Sequence, residues 1–257
     1  MKSRLNKLYS DNRRASARRF EVVAKDDANE VDIFLYDQIV SSEDEAEWWG
    51  GVAPESFVKA VYAVDKSATI NLRVNSPGGS VFAARAMEQA LRAHKGKVIV
   101  HIDGLAASAA TFIAMAGDEV VMAKGAMFMI HKAWTGMWGN SEDLRKEADL
   151  LDKIDGTLAD TYAEKTGKDV AAISEWMAAE TWFTAQEALD AGFATSIAEA
   201  ETKAVAWNLS AYDNAPKLDR APAPTPEPAP EPEEAMATEE HRKRQAQRLR
   251  VLSLLTA

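Results

Sequence analysis

Two segments of the sequence carry residue types that could perform nucleophilic catalysis. Ser108 lies between alanines and opens an alanine-rich apolar run. A serine hydroxyl at the first turn of a helix can cap that helix, or it can be a nucleophile whose oxyanion is stabilised by helix-start amides. His131 follows the apolar run 127–130, where an imidazole at a strand end could point into a cleft as a general base.

A third segment, 75–80, reads Asn-Ser-Pro-Gly-Gly-Ser and lies between a predicted strand and a predicted helix. Paired glycines reach backbone conformations that other residues avoid, and they let backbone N–H groups approach a ligand closely. The segment could therefore bind an anion, or it could be an ordinary tight turn. The sequence of the turn alone leaves both interpretations open.

The three remaining histidines are weaker candidates for the general base. His94 ends a predicted helix beside a lysine, His101 lies within a predicted strand, and His241 lies in the C-terminal tail.

The chain has no cysteine, which excludes disulfides and a cysteine nucleophile. Metal-ligand spacing and nucleotide-binding glycine motifs are also absent from the sequence. We therefore expect a reaction without a metal or a cofactor.

Strand-like and helix-like segments alternate through the middle of the chain, which predicts an α/β fold with a largely parallel sheet. The predicted strands are 31–36, 69–74, 97–102, 119–122 and 127–130. The predicted helices are 54–64, 80–94, 106–116, 141–166, 170–177 and 185–191. The helix 141–166 is the longest and has one apolar side.

Composition divides the chain into four parts, because seven of its nine prolines lie at or after Pro216. The parts are a basic N-terminal arm (1–19), a core domain (20–207), a Pro/Ala/Glu-rich linker (208–237) and a basic amphipathic tail (238–257). The tail could be a frayed, solvated helix or a docking helix.

A net charge of −10 argues against nucleic-acid binding. No apolar run suits a bilayer or a signal peptide, so we expect a cytoplasmic protein without a membrane partner.

Taken in order, the three segments resemble the Clp protease proteolytic-subunit family. The chain is most similar within it to the ClpP-like head-maturation (prohead) proteases of tailed phages and prophages. The resemblance rests on Asn-Ser-Pro-Gly-Gly at 75–79, Gly-Leu-Ala-Ala-Ser-Ala-Ala at 104–110 and Met-Ile-His at 129–131, and it covers 31–197. It implies a ClpP/crotonase superfold of repeated β-β-α units with a long handle-type helix, and a ClpP-like peptidase domain at 20–207.

The resemblance also implies a role for individual residues. Ser108 would be the nucleophile of a serine endopeptidase, and His131 would be its general base and then its general acid. Glu180 stands where this family usually has the aspartate of the triad. The backbone N–H groups of Gly79 and Ala109 would form the oxyanion hole.

Asp155 or Asp152, on the long helix, is the alternative third member of the triad if Glu180 is not. Without this carboxylate the chain could still be a catalytically weak assembly scaffold of the crotonase fold.

The function implied by the resemblance is ATP-independent cleavage of phage capsid or scaffold proteins during head maturation. The enzyme would be a ring-shaped homo-oligomer in the bacterial host cytoplasm or inside an assembling prohead. Three further enzymatic alternatives remain. They are a general Clp-type proteolytic subunit working with an unfoldase, a signal-peptide-peptidase relative and an acyl-CoA crotonase.

Overall fold

The computed structural model describes residues 3–13, 15, 18–25, 29–199 and 207–216. The helices in this part of the chain are α1 (Arg4–Asn12), α2 (Glu43–Trp49), α3 (Pro54–Ala63), α4 (Val81–Ala93), α5 (Ala109–Ala114), α6 (Ser141–Thr166), α7 (Val170–Ala178) and α8 (Ala185–Ala191). The strands are β1 (Arg19–Lys25), β2 (Glu30–Tyr36), β3 (Thr69–Ser76), β4 (Val98–Ala107), β5 (Glu119–Ala123), β6 (Met127–Ile130), β7 (Thr181–Thr184) and β8 (Ser196–Ala198).

The strands form one mostly parallel sheet in the order β1-β2-β3-β4-β5-β8. Only β1 is antiparallel to its neighbour along this path. Off the path, β6 lies parallel to β4 and antiparallel to β7. The predicted α/β class with a largely parallel sheet is therefore confirmed.

The central strand β3 is buried along most of its length, although apolar and polar residues alternate in its sequence. All but two residues of β3 are buried, and the core around β3 and β4 includes Leu72, Val100, Ile102 and Phe112. Such burial is typical of the central strands of a parallel sheet.

β4 changes its neighbour along its length, and this change places the branch point of the sheet beside Ser108. Residues 99–102 pair with β5, whereas residues 105–107 pair with β6. The carboxyl ends of the parallel strands β3, β4 and β6 consequently meet at one edge. These three ends lead into segment 75–80, Ser108 and His131.

The same pairing corrects one sequence-based boundary. We predicted that the alanine-rich helix begins at 106, but β4 continues to Ala107 and α5 begins at Ala109. Residues 105–107 are extended because they pair with β6, and this tertiary pairing overrides the high helix propensity of alanine.

The described part of the N-terminal arm is a packed helix. Leu8 and Tyr9 of α1 are buried, and Leu8 belongs to the same buried cluster as Trp207, Ala211 and Tyr212. We call residues 207–216 the clasp. The compact unit therefore extends to Pro216, beyond the linker start at 208 that composition suggested.

The rest of the expected linker, the expected tail helix 238–257 and His241 lie outside the described residues. Within the described ranges, no helix combines the length and apolar character needed to span a bilayer.

Candidate active site

Ser108 lies at the junction between β4 and α5 in a strained backbone conformation. Its φ of 53° falls in the left-handed region, which costs a non-glycine residue about 1–3 kcal/mol. The amide of Ser108 donates to the carbonyl of Met129 on β6 at 2.8 Å, and this bond fixes the junction. The hydroxyl makes no capping hydrogen bond to α5, so it is available for other contacts.

His131 follows directly after β6 and faces this hydroxyl. Its Nε2 lies 2.7 Å from Oγ of Ser108. The side chain is only 8% exposed. Burial, together with the positive charge of Arg4, lowers the pKa of His131 to about 3. The imidazole is therefore neutral at neutral pH, which is the form that can accept a proton from the serine.

Two aromatic rings flank the imidazole. The ring centroids of His131 and Trp134 are 4.4 Å apart, and those of His131 and Tyr212 are 5.5 Å apart, both with edge-to-face geometry. In the part of the chain that the structure describes, no carboxylate hydrogen-bonds to this imidazole. Ring packing therefore restricts the orientation of the imidazole here.

Glu180 lies immediately before β7. The antiparallel register places Ile130 opposite Thr181, so His131 and Glu180 are the next residues beyond this pair. Glu180 has a φ of 49°, which makes it the second non-glycine residue in the left-handed region besides Ser108 among those described. The backbones of His131 and Glu180 are thus adjacent at this edge of the sheet.

The carboxylate of Glu180 is hydrogen-bonded to the clasp. It accepts from the amide of Asn214 at 2.7 Å and from the amide of Asp213 at 3.1 Å. The indole N–H of Trp182 also donates to it, at 3.4 Å. Because these donors satisfy the carboxylate, the buried Glu180 links β7 to the clasp in this structure.

The two fallback carboxylates differ in their surroundings. Asp155 is partly buried and accepts a hydrogen bond from the amide of Ala133 at 2.7 Å. Burial raises the pKa of Asp155. Asp152 is exposed on α6. Asp155 is therefore the fallback that lies nearer in the structure to the segment after His131.

The turn at 77–79 packs directly against Ser108. A Cβ placed on Gly78 would lie 2.9 Å from Cβ of Ser108, and one on Gly79 would overlap the carbonyl oxygen of Ile39. Gly79 has a φ of 147°, and no described residue accepts a hydrogen bond from its amide or from that of Ala109. Two free N–H groups beside a serine hydroxyl are what an oxyanion hole requires.

A cleft of about 340 Å³ opens over this constellation. Ser108, Ala109, His131 and Gly79 line it, together with residues from α1, α4 and α6 and the segment 133–136. The cleft gives a polypeptide access to the hydroxyl and to the unpaired amides at the same place.

The remaining described histidines point elsewhere. Nε2 of His94 lies 2.8 Å from the carbonyl oxygen of Ala68, and Nε2 of His101 lies 3.2 Å from Oδ1 of Asn71. Within the described residues there is also no cluster of histidine, aspartate or glutamate that could hold a metal ion.

The sequence profile of the Clp protease family matches residues 28–201, more than half of the chain. The chain belongs to the Clp protease family. It is 33% identical over 139 residues to the ATP-dependent Clp protease proteolytic subunit 1 of Leifsonia xyli, over 53% of this chain and 71% of that protein. It is 36% identical over 138 residues to the ATP-dependent Clp protease proteolytic subunit 2 of Rhodococcus jostii, over 51% and 68% of the two chains.

Membership of the Clp protease family confirms the predicted ClpP/crotonase-like fold and the predicted class, a serine endopeptidase. Members of this family act on protein substrates and form ring-shaped homo-oligomers. The narrower likeness to phage prohead proteases stays a prediction, since the relatives are named as Clp proteolytic subunits.

Three residues at this site escaped the sequence analysis. They are Arg4, Trp134 and Tyr212, which contact or electrostatically influence His131. Two of them come from α1 and the clasp, which lie outside the segment that carries the resemblance. The only available signal was the presence of tryptophan and tyrosine between the core and the proline-rich stretch.

Proposed function

We propose that this Clp protease family member hydrolyses peptide bonds with Ser108 as nucleophile and His131 as general base. The 2.7 Å contact between Oγ and Nε2 carries the proposal. As Oγ forms a bond to the scissile carbonyl carbon, its proton passes to Nε2. The imidazolium then gives that proton to the leaving amine, and water repeats the cycle on the acyl-enzyme ester.

The amides of Gly79 and Ala109 are proposed to hold the oxyanion of each tetrahedral intermediate. Both are unpaired and both lie at the cleft beside Ser108. Donors that are already oriented stabilise the developing charge without reorganisation at the moment of reaction.

The first test removes the proposed nucleophile and base separately. We expect Ser108→Ala and His131→Ala each to lower peptide hydrolysis by about three orders of magnitude or more. A fluorophosphonate probe should label the wild-type protein at Ser108 and leave Ser108→Ala unlabelled. Ser196→Ala, at an exposed serine on β8, is the matched control. Near-wild-type activity of either active-site variant would overturn the proposal.

Glu180 is the proposed third member of the triad because the β6–β7 register sets it beside His131. We expect Glu180→Gln to reduce kcat while leaving the oligomer intact. Asp155→Asn is the comparison variant, since its carboxylate is bonded to the amide of Ala133. If kcat falls in Asp155→Asn and not in Glu180→Gln, Asp155 is the third member of the triad.

The narrower proposal is ATP-independent cleavage of phage capsid or scaffold proteins by a ring of these chains. It is supported by the resemblance of the three motifs and by the proline-rich stretch after the clasp. The names of the relatives favour a second candidate with equal weight, an ATP-dependent subunit that works with an unfoldase.

The two candidates differ in what they need to degrade a folded protein. Purified enzyme is incubated with unassembled tailed-phage head proteins, and separately with a folded test protein, an unfoldase and ATP. Defined cleavage of the head proteins without ATP supports the phage function. Degradation that occurs only with unfoldase and ATP supports the general subunit.

A further inference from the structure

The clasp hydrogen-bonds to the turn that carries the proposed oxyanion amide of Gly79. The indole N–H of Trp207 donates to Oδ1 of Asn75 at 3.1 Å. The hydroxyl of Tyr212 donates to the carbonyl of Pro77 at 2.5 Å. Both donor side chains are buried, so these two bonds fix the turn at its start and at the residue before the two glycines.

Tyr212 also contacts the proposed base. Its ring packs edge-on against His131 and lies 4.9 Å from the ring of Trp134. Burial raises the pKa of Tyr212, and an interaction with the Ser108 side chain opposes that rise. The phenol is therefore protonated at neutral pH and remains a hydrogen-bond donor. It does not line the substrate cleft.

α1 holds the clasp in place through a buried amide. The side chain of Asn12 donates to the carbonyl of Asn208 at 2.9 Å, and its Oδ1 accepts from the amide of Asn208 at 2.7 Å. Asn12 is 2% exposed. A reciprocal pair of buried hydrogen bonds of this kind is costly to break, because breaking it leaves polar groups unsatisfied. The position of Tyr212 is therefore defined by the fold.

We propose that Tyr212 is a positioning residue of the active site: its ring orients the imidazole of His131, and its hydroxyl holds the turn that presents the Gly79 amide. This inference rests on the proposed roles of Ser108 and His131. The ring restrains the imidazole in addition to the proposed acid Glu180, whose carboxylate is hydrogen-bonded to the clasp backbone in this structure.

The test uses two variants of the whole chain to distinguish the contribution of the Tyr212 hydroxyl to kcat from that of the Tyr212 ring. We expect Tyr212→Phe to lower kcat about tenfold, the loss expected for one hydrogen bond that helps to set the geometry. KM should stay within about twofold, because the phenol lies outside the cleft. Tyr212→Leu should lower kcat further and slow the labelling of Ser108 by a fluorophosphonate, since it also removes the ring.

Tyr62→Phe, at an exposed tyrosine on α3, is the control and should match the wild type. Melting temperatures identify a variant that fails to fold, and Tyr212→Phe decides the question if Tyr212→Leu does. A Tyr212→Phe enzyme with unchanged or increased kcat, or with a change in KM alone, overturns the positioning role. If Ser108→Ala stays active, the proposed function itself has failed. An inactive Ser108→Ala beside a wild-type Tyr212→Phe removes only the role of Tyr212.

Discussion

The short contact between Ser108 and His131 depends on two local conditions that each cost free energy. Ser108 adopts a left-handed conformation, and His131 gives up most of its hydration. A folded protein keeps such unfavourable conformations and environments where contacts from the surrounding structure hold the residues in place. This happens most often at functional sites. Here the bond from the Ser108 amide to β6 and the flanking rings supply that constraint.

The low pKa of His131 predicts the acid limit of activity. The imidazole stays neutral well below its ordinary pKa of about 6.5, so the acid limb of kcat/KM should lie well below pH 6.5. Between about pH 6.5 and 3 the unfolded chain binds the extra proton and the folded chain does not. His131 therefore contributes to a loss of stability as the pH falls through that window.

Arg4 gives this prediction a direct test. Removal of its positive charge should raise the pKa of His131, so Arg4→Gln should shift the acid limb of the kcat/KM profile to higher pH. The ion pair between Arg4 and Asp213 is largely exposed and its loss should change stability little. Lys124→Gln, at an exposed lysine after β5, is the control. An acid limb that stays in place in Arg4→Gln contradicts the predicted influence of this charge.

Ser108 and His131 could be identified as candidates from the sequence because each lies in a recognisable local motif. Tyr212 and Trp134 could not, since a ring that packs against an imidazole has no local signature. The hydrogen-bond partners of Glu180 were equally hidden, because they are backbone amides more than 30 residues away. Sequence patterns therefore identify the reactive side chains more readily than the residues that fix the positions of those side chains.

At the scale of elements, the site depends on the turn between β3 and α4. Ser80 caps α4 by accepting from the amide of Ala83, and the amide of Ser80 donates to the carbonyl of Ile39. The amide of Ile39 in turn donates to the carbonyl of Gly78. These bonds force the glycines into backbone conformations that L-residues rarely adopt.

Gly79→Ala is expected to damage this turn. Its Cβ would overlap the carbonyl oxygen of Ile39, so the turn must move and the Gly79 amide with it. We expect kcat to fall by about 100-fold, as for loss of one oxyanion donor, together with a lower melting temperature. Steady-state kinetics and calorimetry would measure the two effects.

Gly156→Ala is the matched control for that substitution. Gly156 lies within α6, and a Cβ there would meet no atom within 4 Å. Alanine at this helical position should raise the free energy of unfolding by about 0.5–1 kcal/mol and leave kcat unchanged. Equal kinetics in both variants would show that the turn at Gly79 tolerates a side chain.

Elements with a clear local pattern were predictable whatever their length: β6 has the predicted bounds 127–130, and α8 has the predicted bounds 185–191. The pattern predicted α6 over 141–166, and the structure has the same bounds. Its ends follow local signals, with a capping box at Asn140 and a left-handed Gly167. β1, β7 and β8 were missed, because short or edge strands depend on pairing with partners that the local sequence does not reveal.

At the scale of the whole molecule, α6 contributes no buried residue in its first half. Its buried residues, Leu158, Ala159 and Tyr162, all lie in the second half, whereas Leu144 and Leu150 are exposed. Exposed apolar side chains on a long helix are suited to contact between subunits. We expect this half of α6 to carry the contacts of the ring that the family forms.

Leu144→Asp tests that assignment. Leu144 is 49% exposed, so the substitution should leave the fold of the subunit intact and reduce the mass of the oligomer measured by light scattering. Val170→Asp, at another half-exposed apolar residue, is the control and should assemble normally. A Leu144→Asp protein of unchanged mass would assign the contacts to another surface.

The edge-to-face contact between Trp134 and His131 has a practical consequence. A protonated imidazole quenches the fluorescence of a neighbouring indole more strongly than a neutral one does. Emission from Trp134 should therefore report the charge on His131 directly, with no substrate present. The difference spectrum between the wild type and Trp134→Phe isolates this signal, and a flat difference across the acid titration would show that the ring does not sense the proton. The protein thus contains its own optical probe of the proposed general base.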